Sequence, residues 1–143
     1  MCMVVYVGSD VPLRTWPFDP ARPAFHVTDV PAGDEAVKRH FSKPHVYYAG
    51  AYEGCGCGFQ WGRTFEEEEE DDPVQLAAAD ACRAGIEAYV RDALAAQPSV
   101  EIYACWAGDE AEPPAARRAL DGPSFPKGFF EREFLVVGPS AAG

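Results

Sequence analysis

The chain has 143 residues, 48% of them hydrophobic and 13% aromatic. A chain of this size buries roughly 68–70% of its unfolded surface, enough for a core without disulfide staples. Asp and Glu number 23 against 12 Lys and Arg, a net charge of −11, which opposes phosphate backbones and anionic membranes. The densest basic pairs are Arg117-Arg118 and Lys38-Arg39, so neither nucleic acid nor membrane is expected as a partner. The first residues, Met1-Cys2-Met3-Val4-Val5-Tyr6-Val7, lack a basic leader and turn polar at Ser9-Asp10. A cytoplasmic location is therefore expected, where thiols stay reduced. The five cysteines are also an odd number.

Residues 2–7 are β-branched and aromatic and stop at Gly8-Ser9-Asp10, the pattern of a buried strand. Residues 9–32 carry Pro12, Pro17, Pro20, Pro23 and Pro31, predicting a long irregular excursion with a short edge strand at Phe25-His26-Val27. Residues 34–41 place Ala36, Val37, His40 and Phe41 on one side of a short helix that Pro44 ends. Residues 45–52 read as a second main strand and residues 60–64 as a further short one. Glu66 to Asp72 is a run of seven acids, expected to form a solvated loop. Asp72 and Pro73 suit the cap and first position of a helix over 73–97, where Ala79, Cys82, Ile86, Tyr89, Val90, Ala93 and Leu94 recur at helical spacing. Asp80, Arg83, Glu87 and Arg91 take its other side.

Residues 100–106 alternate: Val100, Ile102, Ala104 and Trp106 face one way, Glu101, Tyr103 and Cys105 the other, half-exposed way. Residues 113–120 read as a short helix closed by Gly122-Pro123, residues 130–137 as the last strand, and residues 138–143 as a flexible tail. The expected fold is α+β: a single domain over residues 1–143, with a mixed sheet of about four main strands, one long and two short helices, and the helices mostly on one face. The first strand–helix–strand unit is expected to be parallel and right-handed.

Gly54-Cys55-Gly56-Cys57-Gly58 is where chemistry is expected. Two thiols one residue apart can turn towards one ion, and glycine frees the backbone to allow it. Thiolates suit zinc and copper(I), and zinc is the cofactor considered first. Cys55 and Cys57 supply only half of a structural zinc site. The remaining ligands depend on strand direction. With the first two main strands parallel, the direction favoured by the sheet-end rule for ligands, Asp10 stands nearest, and Cys105 and Asp109 join it if the third strand is parallel too. An antiparallel pairing brings Cys2 instead. His45 is excluded, because a strand of roughly 3.3 Å per residue carries it to the far end.

Three other readings compete. A thiol-dependent redox enzyme would use Cys55 and Cys57 through a strained, reducible disulfide, yet Arg63 is the only nearby cation to activate them. An anion nest would normally run straight into a helix. A tight turn with packed cysteines needs no function at all. Tyr48, Tyr52 and Trp61 are candidates to line a small-molecule pocket. A homodimer through an edge strand or the long helix is a further expectation, as is an interaction module without chemistry. The sequence thus predicts a small cytosolic binding protein with a metal site at Cys55 and Cys57.

Overall fold

The computed structural model describes residues 2–60 and 73–140. The strand expected at 60–64, Trp61, the acid run, the Asp72 cap and the end of the tail lie outside the described residues, apart from Gln60. The described chain forms one six-stranded mixed sheet with β1 Met3–Ser9, β2 His26–Asp29, β3 His45–Gly50, β4 Val100–Trp106, β5 Ala116–Asp121 and β6 Glu133–Gly138. The spatial order is β2-β3-β1-β4-β6-β5. Every pairing is antiparallel except β5 with β6. Three helical segments join the strands: the 3-10 helices η1 Ala32–His40 and η2 Gly56–Gln60, and the α-helix α1 Pro73–Leu94.

β1 is flanked by β3 and β4 and is buried along its whole length, which is why its sequence is a continuous apolar run. Its pleat divides the core in two. Met3, Val5 and Val7 pack with Cys82, Ile86, Val90 and Ala93 of α1 and with Val100, Ile102 and Ala104 of β4. Val4 and Tyr6 pack on the opposite face with Val37 of η1 and with Tyr103, Cys105 and Phe134. Each fully buried apolar side chain contributes roughly 1.5–3 kcal/mol.

The architecture is the expected α+β class, with several corrections. The described residues form six strands rather than about four main ones. β1 and β3 run antiparallel, not parallel. After β1 the chain crosses to the sheet edge as β2, then returns through η1 to insert β3 between β2 and β1. α1 and η2 share one face, as expected of most of the helices, and η1 covers the other. The face of β4 carrying Tyr103 and Cys105 is therefore buried rather than half exposed.

Residues 116–121 form a strand where a helix was expected. β5 is held by its ladder to β6, by Arg117 over the Phe134 ring at 4.6 Å and by an Arg118–Glu133 ion pair of 3.0 Å. Its exposed arginines also blunt a sheet edge. Gly138 closes β6 against Asp121 instead of opening the tail. Among the described residues no helix is long and apolar enough to cross a membrane.

Candidate metal centre

β3 stops pairing with β1 at Val5, and the chain beyond it turns back beside the start of β1. The turn is closed by Gly54 N–H to Ala51 O at 3.0 Å and Ala51 N–H to Cys55 O at 2.9 Å. Gly54 adopts a φ of 88°, a left-handed conformation that favours glycine. Tyr48 Oη donates to Gly54 O at 2.9 Å and holds the turn over β3. Gly56 then meets β1 directly. A Cβ placed there would lie 2.9 Å from Met3 O and 2.8 Å from Val5 Cγ2, so only glycine lets η2 settle against the strand backbone.

That close approach completes the edge of β1. The Cys2 carbonyl accepts from Ala107 N–H on the β4 side at 2.7 Å. The next backbone N–H, that of Met3, points the other way and donates to Cys57 Sγ at 3.1 Å. Where β3 no longer supplies a carbonyl, a cysteine sulfur takes its place.

Three sulfurs converge at this corner. Sγ of Cys2, Cys55 and Cys57 all lie within 4.8 Å of one another. Cys2 is exposed, whereas Cys55 and Cys57 are half-buried. Cys55 is central: it hydrogen-bonds to the thiols of both Cys57 and Cys2, and the Cys57 backbone N–H also points at its sulfur. Burial pushes the Cys55 thiol up to about 12, the Cys57 N–H opposes the rise, and the two neighbouring thiols add to it. Among the described residues no cation contributes; Arg63 lies outside them. Tyr48 is likewise raised, first by burial and then by the nearby Cys55.

The loop is strapped down from two sides. Arg83 of α1 is buried and donates to Phe59 O at 2.8 Å, while also pairing with Asp80. Gln60 donates to Phe129 O at 2.6 Å and accepts from Phe129 N–H at 3.1 Å. Phe59 between them is fully buried against Phe25 and Phe129.

The other sequence candidates fall elsewhere. Asp10 lies at the opposite end of β1, where its N–H donates to Gln97 Oε1 at 2.7 Å and its carboxylate accepts from Lys43 at 2.9 Å. Cys105 pairs in register with Val4, but its buried sulfur does not join the three-sulfur group. His45 pairs with Ser9, also at the far end. Tyr52 lines a hollow of about 180 Å³ with Pro23, Ala24, Phe25, Ala78, Ala81 and Cys82, and Tyr48 is not part of that lining. Sequence reasoning missed Arg83, which it placed on the polar side of the helix. Only its position beside Cys82, on the apolar stripe, hinted at burial.

These features define an α+β sheet protein with a three-thiol cluster at one end of its central strand. No protein-family model, curated protein or solved structure matches the chain.

Proposed function

We propose that the protein binds a thiophilic metal ion through Cys2, Cys55 and Cys57. The observation that carries this reading is the convergence of three sulfurs within 4.8 Å from segments far apart in sequence. Sulfurs on a tetrahedral ion with bonds of about 2.3 Å stand roughly 3.8 Å apart, so a contraction of about 1 Å or less brings the group to bonding distance. The anchored loop supports the reading too, because a site held by its surroundings loses little entropy when it closes on an ion. The surroundings favour a metal over a redox thiol. A catalytic cysteine needs a lowered pKa, whereas among the described residues burial and the neighbouring thiols push Cys55 the opposite way. A bound ion displaces the protons directly.

Elemental analysis of protein purified without added metal tests the reading. A stoichiometric transition metal is expected, and it should be absent from a Cys55→Ser/Cys57→Ser variant whose far-UV circular dichroism matches the parent. Metal-free protein that also takes up no added zinc or copper(I) would remove the proposal.

A further inference from the structure

Three sulfurs meet at the corner of β1 and η2, and among the described residues no histidine nitrogen or carboxylate oxygen joins them. We infer that the ion held there is copper(I), bound by three sulfurs alone and reached from solvent at Cys2. The inference rests on the metal-binding reading above and names the ion that reading leaves open.

Coordination demand separates the candidates. A structural zinc ion takes four protein ligands, and three leave a place that water must fill. Copper(I) is softer, prefers thiolates and is satisfied by fewer of them. Among the described residues no histidine nitrogen or carboxylate oxygen stands close enough to complete the set that zinc would take. The chain has three histidines. His26 Nδ1 lies 3.0 Å from Ala24 O, and His40 Nε2 lies 2.8 Å from Glu110 O. His45 sits at the other end of β3 beside Ser9. Asp34, on the covered face, accepts from Tyr6 Oη at 2.9 Å.

The site also provides for the charge that three thiolates bring. Met3 N–H points at Cys57 Sγ, and Cys57 N–H points at Cys55 Sγ. Backbone donors to anionic sulfur are charge-assisted and stronger than neutral pairs. The third sulfur, Cys2, is exposed, so water screens its charge and the ion enters and leaves on that side without unfolding the sheet. On binding, three S–H bonds break and three copper–sulfur bonds form. Three protons pass to solvent, and the oxidation states of copper and sulfur do not change.

The test is an anaerobic titration of the full chain with copper(I), repeated with zinc, followed by X-ray absorption at the copper edge. One copper per chain is expected, in a shell of three sulfurs without nitrogen or oxygen, retained against excess zinc. Cys2→Ser changes an exposed side chain, so the fold should persist while copper affinity falls by about 10-fold or more. Displacement of copper by zinc, or a copper shell containing nitrogen or oxygen, overturns the copper assignment. Zinc uptake that vanishes in the Cys55→Ser/Cys57→Ser variant would in that case leave the metal-binding reading standing. Uptake of neither ion overturns both.

Discussion

The guanidinium of Arg83, midway along α1, donates to the carbonyl oxygen of Phe59 at 2.8 Å and so ties the long helix to the short one that carries Cys57. Arg83 is only 7% exposed, and hydrogen bonds from charged donors contribute about 1.5–3 kcal/mol each. Arg83→Met keeps the apolar stem but removes the donor. It is expected to lower stability by about 1.5–3 kcal/mol in urea titrations and to weaken metal uptake, because the loop loses a strap. Unchanged stability together with unchanged uptake would show that the helix does not position the site.

Gly56 supplies a second handle on the same loop. Alanine there would place its Cβ 2.9 Å from the Met3 carbonyl oxygen, a backbone atom with no room to yield. Gly56→Ala is expected to cost about 1–3 kcal/mol, as overpacking does, and to part Cys57 from Met3. Gly33 in η1 is the matched control, since a Cβ there meets nothing within 4 Å. Gly33→Ala should be neutral or stabilising by up to about 1 kcal/mol. Equal losses from the two substitutions in a denaturant series would contradict the close packing of η2 on β1.

How far the sequence foretells this arrangement varies with how local the cause is. β1 and α1 carry their own signals, because an apolar run and a helical period follow directly from burial on two faces or on one stripe, while the alternation of β4 locates the strand but hides that both its faces are buried. β5 carries no such signal. Ala115-Ala116-Arg117-Arg118-Ala119-Leu120 consists of good helix formers, and it is extended only because β6 offers it a ladder. The direction of β3 is hidden for a similar reason. It depends on β2, a four-residue strand, lying at the sheet edge so that the chain returns between β2 and β1. The site inherits this split. Cys55 and Cys57 stand out by spacing within one loop, whereas Cys2 joins them only through the reversed direction of β3.

Cys105 gives the folded protein a pH dependence of definite sign. Burial, and after it the carboxylates of Glu110 and Asp109, push its thiol up to about 12, against about 8.5 in an unfolded chain. The folded state therefore holds a proton that the unfolded state gives up in alkali. Its contribution to stability is complete below about pH 8.5 and is lost as pH rises towards 12. Cys55 and Tyr103 shift in the same direction, so the decisive quantity is a difference. Urea midpoints of metal-free protein from pH 7.5 to 10.5 should fall less steeply for Cys105→Ala than for the parent. Parallel slopes would mean that Cys105 titrates alike in both states.

The five cysteines should also separate by reactivity, because they occupy three kinds of surroundings. Cys2 is exposed, Cys55 and Cys57 are half-buried, and Cys82 and Cys105 are buried. Alkylation proceeds through the thiolate, so burial slows it both by blocking access and by keeping the proton in place. Mass spectrometry of folded, metal-free protein treated with iodoacetamide should show Cys2 modified first and Cys55 later. Cys82 and Cys105 should react only once denaturant is added. Addition of copper(I) before the reagent should slow Cys2, Cys55 and Cys57 together and leave the denaturant-dependent labelling of Cys82 and Cys105 unchanged. Protection of Cys55 and Cys57 without Cys2 would reduce the centre to the two-thiol loop. Equal labelling of Cys105 and Cys2 in the native state would contradict the packing of η1 over the sheet.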